Sequence, residues 1–392
     1  MISYIGGKGR IGKWIEPHIP KDIETYVEPF GGMFWVFFKL DLKKYSKLKT
    51  VVYNDYNQLN ANLFKCAVEY EKLLDEMSKY ECQQLDVVDT DPKFKEMFDS
   101  CQKEVFDPNF DVGVEPNFDA AAKYLYVLTH VFSGSKPERA TFTDYKGKYR
   151  SKFLIFTDKL RNPKYREHFD KITFVENLDF TDVIKKYDSP TTYFYLDPPY
   201  WKTENYYSNH DFDVDDHIRL AQLITAIEGQ FSLSYYEFPQ LLNWFPKDEY
   251  VWRTKQFKKA ASAKKDGTQN MGTELLIMNY DPPIIDAVEV LSDILTEEVS
   301  KIEPISPESP LENNYKSSPI PVQEPLEQII QKEKIMENQI EPTISDKIQE
   351  LSHITYETLF GINSLLANSE ETKRTIIRTA LIAICNECRE KK

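Results

Sequence analysis

Asp197-Pro198-Pro199-Tyr200, directly after the apolar run ending at Leu196, is the sharpest chemical signal in the chain. Two consecutive prolines end a strand and set a stiff, extended turn. Their carbonyls cannot join a continuing ladder and are free to face a ligand. A carboxylate, a carbonyl and an aromatic ring are then presented together. That set suits an exocyclic amine on a flat heterocycle: Asp197 and the Pro198 carbonyl accept its two N–H bonds, and Tyr200 stacks on the ring. The plain alternative is a strand-ending turn, because Asp and Pro mark turns generally. Asp281-Pro282-Pro283-Ile284 offers an internal comparison, following another strand-like run without the aromatic.

Three further constellations are ambiguous one by one. Glu28-Pro29-Phe30-Gly31-Gly32 follows a short strand and precedes an apolar, helix-like run. Glycines there let backbone approach a ligand closely, and an acid there can bind a positive group. Asp55 closes the next strand (Val51-Val52-Tyr53-Asn54-Asp55), where an acid commonly accepts a ribose hydroxyl. Gly6-Gly7-Lys8, after Tyr4, can bring a ring and an ammonium to the same pocket.

The elements that position these groups alternate between strands and helices over the first 285 residues. Short β-rich runs lie at TYVEPF, TVVYND, KITFVEN, PTTYFYLD, GQFSLSYY and ELLIMNY, and residues 57–80 carry apolar side chains at helical spacing. The alternation predicts an α/β fold with a mostly parallel sheet and ligands at the carboxyl ends of its strands. From Glu303 to Pro325 the chain is rich in Pro, Ser and Glu and reads as a linker. Helical periodicity returns beyond it.

Taken together and in this order, the Tyr4/Gly-Gly-Lys, EPFGG, ND and DPPY signals resemble those of the D12-class (Dam-like) adenine-specific DNA methyltransferases. Ala120 to Gly134, Glu176 to Phe180, Phe231 to Ser234 and Glu274 to Tyr280 resemble family segments as well. The resemblance spans roughly residues 1–285 and leaves out the tail. It implies a Rossmann-like methyltransferase sheet dependent on S-adenosyl-L-methionine, with an inserted, mainly helical target-recognition region and a C-terminal helical tail. The implied division is a methyltransferase domain at 1–285 (cofactor half 1–80, insertion about 81–170, catalytic half 171–285), a linker at 286–325 and a helical module at 326–392. The tail is expected to be dispensable for cofactor binding and to serve a protein partner or self-association.

Residue by residue, the resemblance puts Tyr4, Lys8, Asp55 and Asp197 around the S-adenosyl-L-methionine pocket. Glu28, Phe30, Gly31 and Gly32 form the turn under its methionine portion, and Asp179 with Phe180 borders its adenine. Tyr4 stands where tryptophan is common, and Met33 and Phe34 fill positions that are usually small. The implied reaction is direct transfer to an adenine swung out of the duplex, which needs alignment and a usable nitrogen lone pair, with Asp197, Pro198, Pro199 and Tyr200 as the catalytic corner.

Charge is uneven along the chain. The formal net charge of −14 is at first sight wrong for a polyanion partner, but Lys136 to Arg166 and Arg253 to Lys265 are strongly basic, and local fields decide docking. Double-stranded DNA is therefore the expected partner. Arg139, Lys146, Lys148 and Arg150 fall in the recognition segment, with the two arginines as guanine-reading candidates. Lys255, Lys258, Lys259, Lys264 and Lys265 are candidate phosphate contacts. The acidic stretch Glu81 to Asp119 should face away from DNA. No metal is expected: the six histidines show no paired ligand spacing, and Cys385/Cys388 lack a second pair. Neither a secretory signal nor a membrane span is expected. Five scattered cysteines fit a reducing, cytoplasmic setting in a bacterial or phage-infected cell. Two other readings stay open, an N4-cytosine methyltransferase and a non-catalytic DNA-binding relic of the same fold. An ATPase is disfavoured by the lack of a GxxxxGK[ST] motif.

Overall fold

A computed structural model describes residues 7–9, 11–82, 91–132, 136–143, 151–201, 212–263 and 269–283. The chain divides into two units, Met1–Pro283 and Ile284–Lys392, and all described residues belong to the first. The expected linker and helical module thus lie outside the described residues.

Seven strands form one sheet: β1 (Thr25–Glu28), β2 (Thr50–Asn54), β3 (Phe174–Glu176), β4 (Thr192–Leu196), β5 (Gln230–Tyr235), β6 (Val251–Ala263) and β7 (Gln269–Met278). Their spatial order is β3-β2-β1-β4-β5-β7-β6. The first five in chain order are parallel, and β7 runs antiparallel to both β5 and β6. This is a mixed α/β sheet of the Rossmann-like methyltransferase kind. The chain builds outward from β1 to β3 and then returns to β4 on the other side of β1. That reversal makes the gap between the carboxyl ends of β1 and β4 a topological switch point, where open α/β sheets bind ligands.

Alternation along the strands gives the sheet two unlike faces. Val27, Val52, Phe194, Leu196, Phe231, Leu233, Leu275 and Ile277 form one buried apolar face with Phe180, Val183, Ile184, Leu220 and Ile224. The last five come from the helices Phe180–Tyr187 and Val214–Ile224. The opposite face is buried but aromatic and polar. There Tyr195 shares a hydrogen bond with Ser234 (2.8 Å), and the Tyr26 hydroxyl donates to Glu28 (2.6 Å). Buried polar groups call for partners, and in these two pairs alternate residues supply them to one another.

The helical spacing of residues 57–80 yields two helices rather than one, Gln58–Val68 and Tyr70–Met77. Asn57 caps the first by accepting from Leu59 N–H (3.0 Å), and Glu69, at φ −100 and ψ 51, leaves helical geometry and breaks the run. Between β2 and β3 the helices Pro92–Val105, Phe118–Thr129, Lys152–Arg161 and Pro163–Lys171 supply the expected helical insertion. The basic run from Arg253 lies on β6, paired over most of its length with β7, although the sequence carries little β signal there. Pairing with β7, from Val251↔Met278 through Lys258↔Met271, explains the difference: ladder pairing overrides the weak propensity of lysine.

Candidate active site

The glycine turn after β1 is held by the end of β2. Gly31 N–H donates to the Asn54 carbonyl (2.7 Å), Gly32 N–H to Asp55 Oδ2 (2.8 Å), and the Tyr53 hydroxyl to the Gly32 carbonyl (2.8 Å). A Cβ on Gly31 would lie 2.4 Å from the Tyr53 ring and 2.8 Å from the Asn54 carbonyl, so only glycine fits. Gly32 sits at φ +49, in the left-handed region that glycine adopts without penalty. Phe34 also takes a positive φ, of 52, because its side chain is wholly buried among Tyr26, Phe37, Tyr53 and Phe64. The large residues at positions 33 and 34 therefore point into the core.

Asn54 is a hub that sequence inspection did not single out. Its Nδ2 donates to the carbonyls of Pro29 (2.8 Å) and Leu178 (3.1 Å), and its Oδ1 accepts from Leu178 N–H (2.9 Å). One buried amide thus ties the turn after β1 to the loop after β3. The oxygens of Asp55 accept from Gly32 N–H, Asn57 N–H (2.8 Å) and Asn60 Nδ2 (3.1 Å), so this acid organises the crevice wall.

Glu28, at the end of β1, is buried rather than open to the crevice. Its Oε1 accepts from the Tyr26 hydroxyl and from Phe37 N–H (3.1 Å). Burial pushes its pKa up to about 8, against the pull of those two donors. The group is thus largely protonated at neutral pH.

Asp179 caps the helix Phe180–Tyr187 by accepting from Thr181 N–H (2.8 Å). Both its oxygens are also gripped by Arg219, at 2.9 and 3.0 Å. Burial acts against its charge, but the Thr181 and Arg219 hydrogen bonds outweigh it and hold the pKa below the ordinary aspartate value. The Arg219 guanidinium lies over the Phe180 ring, 4.3 Å from its centroid. Phe180 in turn contacts Phe30 and Phe212, making an aromatic trio at the switch point. Arg219 and Phe212 sit on or beside the helix Val214–Ile224, more than thirty residues from their partners in sequence, and only the i,i+3 spacing to Asp216 hinted that Arg219 had a fixed place.

The proline corner closes the site. Pro198, Pro199 and Tyr200 are buried, while the Asp197 side chain keeps 18% of its surface exposed. Lys8 Nζ donates to Asp197 Oδ1 at 2.6 Å, lies 3.5 Å from Glu274 Oε1, and stands 4.8 Å from the centroid of the Tyr200 ring. The Tyr200 hydroxyl donates to Glu274, and its ring meets Tyr236 edge-on at 4.5 Å. Burial disfavours the Lys8 charge, but Asp197 and Glu274 outweigh it and keep its pKa above the usual lysine value. Burial also raises both acids, with Lys8 opposing. Asp197 and the buried Glu274 thus share one ammonium. Glu274 was not among the residues picked from the sequence, where it reads as the start of an apolar strand.

Tyr4 lies outside the described residues, as do Lys146, Lys148, Arg150, Lys264 and Lys265. Arg139 is exposed on a short 3-10 turn that Gln102 pins through the carbonyls of Pro137 (2.6 Å) and Ala140 (2.8 Å). Lys255 is half-buried on β6 opposite Glu274, and burial lowers its pKa. Lys258 and Lys259 are on β6, but their side chains lie outside the described residues. Acids of the stretch Glu81 to Asp119 pair with lysines: Glu81 with Lys93, and Glu104 and Asp119 with Lys123. Among the described residues no cluster of three or more His, Cys, Asp or Glu could hold a metal ion, and no helix is long and apolar enough to cross a membrane.

The chain matches the sequence model of a family described as D12 class N6 adenine-specific DNA methyltransferase over residues 4–262. It is 26% identical over 294 residues to the type II methyltransferase M.MjaIII of Methanocaldococcus jannaschii, covering 71% of this chain and 98% of that relative. It is 21% identical over 291 residues to the type II methyltransferase M.CviBI of Paramecium bursaria Chlorella virus NC1A, covering 71% and 99% respectively.

Proposed function

The chain belongs to the D12 class N6 adenine-specific DNA methyltransferase family, and from that premise we propose that it transfers a methyl group from S-adenosyl-L-methionine to the N6 amine of a flipped adenine at the Asp197–Tyr200 corner. The observation that carries the reading is the place of Asp197. It sits at the carboxyl end of β4, across the switch point from the glycine turn of β1, with its carboxylate held by Lys8.

S-adenosyl-L-methionine, once bound, supplies a methyl group already activated on sulfur. The turn at Gly31 and Gly32 and the wall built on Asp55 hold its amino-acid and ribose portions, and the Phe30/Phe180/Phe212 trio takes its adenine. Asp179, whose oxygens are engaged by Thr181 and Arg219, borders that ring by fixing the helix start. At the target, Asp197 and the Pro198 carbonyl accept the two N–H bonds of the amine. That favours a tetrahedral nitrogen whose lone pair faces the methyl group. The nitrogen–carbon bond would form as the sulfur–methyl bond breaks, its electron pair staying on sulfur so that the neutral thioether leaves, and the nitrogen would then carry one surplus proton. Asp197, with its pKa raised by burial, is suited to receive it. Tyr200 bounds the pocket of the extruded base.

DNA is then reached through the recognition segment containing Arg139, Lys146, Lys148 and Arg150 and through Lys255, Lys258, Lys259, Lys264 and Lys265. The family supports a DNA substrate. The enzyme acts in the cytoplasm of a bacterial or phage-infected cell on this reading. The test uses the purified full chain with labelled cofactor and a panel of duplexes, followed by digestion to nucleosides. Label in N6-methyladenine is expected, and Asp197→Ala should abolish it. Label confined to methylcytosine, or full activity in Asp197→Ala, overturns the reading.

A further inference from the structure

Glu274 is an ionisable group in a place where folding alone does not ask for one. It lies on β7 with 1% of its surface exposed, followed along the strand by Leu275, Leu276 and Ile277, all buried. A carboxylate at that depth is destabilising unless it is paired and hydrogen-bonded, and an apolar residue there is commonly neutral or better for stability. A local rule broken without structural gain points to function. The partners of Glu274 are themselves site groups: the Tyr200 hydroxyl donates to it, and Lys8 Nζ is 3.5 Å away.

We propose that Glu274 is a positioning residue of the transfer site, holding the Tyr200 ring by its hydroxyl and sharing the Lys8 ammonium so that Asp197 can accept the target amine. The inference rests on the reaction proposed above. Lys8 bonds Asp197 at 2.6 Å and stands 3.5 Å from Glu274. An ammonium has three donors and serves both acids from one position. An amine arriving at Asp197 competes with Lys8 for the carboxylate. A second carboxylate within reach lets the ammonium shift by less than about one ångström without losing a counter-ion, whereas a lone Asp197 would have to keep it. The same carboxylate anchors Tyr200: the ring packs against Tyr235 at 5.5 Å and Tyr236 at 4.5 Å, and the hydroxyl bond holds its far end in place.

The full chain is assayed with labelled S-adenosyl-L-methionine and a duplex that the wild type methylates, alongside cofactor affinity by calorimetry. Glu274→Gln keeps an oxygen for the Tyr200 hydroxyl and removes the charge. It is expected to lower kcat by about tenfold or more, the scale of one charge-assisted hydrogen bond, with cofactor Kd and DNA KM moving less than about threefold. Glu274→Asp, which keeps the charge, should retain more activity than Glu274→Gln. Tyr200→Phe removes only the hydroxyl and tests the second contact whether or not the Gln variant folds; its kcat should fall by about fivefold or more. The proposal is overturned if kcat stays within about threefold of wild type in Glu274→Gln, or in Tyr200→Phe should the Gln variant not fold, if the Asp variant is no better than the Gln variant, or if cofactor affinity falls as far as kcat. A wild-type chain with no transfer to any DNA would instead remove the reaction itself, which separates the two failures.

Discussion

Gly31→Ala isolates the contact on which the cofactor turn depends. The backbone of Gly31 is not in the left-handed region, so alanine meets no torsional penalty there and the cost is steric. The added Cβ would sit 2.4 Å from Tyr53 Cε2 and 2.8 Å from the Asn54 carbonyl, whereas carbon pairs settle at about 3.5–4.0 Å. Relief requires roughly one ångström of movement. Tyr53 has little room to give: it is fully buried, stacked on Phe64 at 4.1 Å, edge-on to Phe34 at 5.1 Å, and bonded through its hydroxyl to the Gly32 carbonyl. Overpacking of this kind costs about 1–3 kcal/mol, and stretching the Gly31–Asn54 hydrogen bond adds about 1 kcal/mol. Restricting the unfolded chain returns about 0.4–1 kcal/mol. A net loss of about 2–3 kcal/mol in urea unfolding is therefore expected, together with weaker S-adenosyl-L-methionine binding by calorimetry, because Gly32 N–H is pulled off Asp55. Combining the change with Tyr53→Leu should give a loss smaller than the sum of the two single losses by about 1 kcal/mol or more. A Gly31→Ala chain as stable as the wild type, binding cofactor equally well, would refute the wedged-ring argument.

Other consequences are checked more simply. Arg219→Ala removes the guanidinium from Asp179 on a half-exposed surface, leaving the Thr181 cap, so the stability loss should be no more than about 1 kcal/mol, while cofactor affinity drops several-fold by calorimetry; unchanged affinity would remove Arg219 from the adenine border. Glu28→Gln addresses the buried acid at the end of β1. Below about pH 4.5 the wild-type glutamate is neutral in both states; as pH rises from there to about 8 the unfolded chain ionises while the folded chain stays protonated, so native stability is lost across that window. Glutamine does not titrate, so the melting-temperature advantage of the variant should widen from about pH 5 to about pH 8 and then level off, and a gap constant with pH would contradict the raised pKa.

Much of this chain could be read before its fold was known, because local chemistry carried the information. The double proline after an apolar run forces a strand to stop and turn, and short apolar and aromatic runs declare β1 to β5 and the second half of β7. The glycines at 31 and 32 announce a turn whatever surrounds them. The β6 strand was not legible, because a lysine-rich segment takes strand form only when a strong partner such as β7 lies beside it. The break at Glu69 was hidden too, since apolar spacing continues smoothly through it.

The site divides in the same way. Asp197, Asp55 and the Gly31–Gly32 turn were identifiable because each ends a strand in its own short motif. Glu274, Arg219, Asn54 and Phe212 were not, since their meaning comes from partners far along the chain: Glu274 is 74 residues from Tyr200, and Asn54 is 124 from Leu178. A glutamate opening an apolar strand looks like a surface residue until the sheet order puts it beside a buried lysine. The local chain determined which groups could do chemistry; the order of the strands decided which of them share one crevice, because neighbours in a sheet are chosen by topology and not by sequence distance.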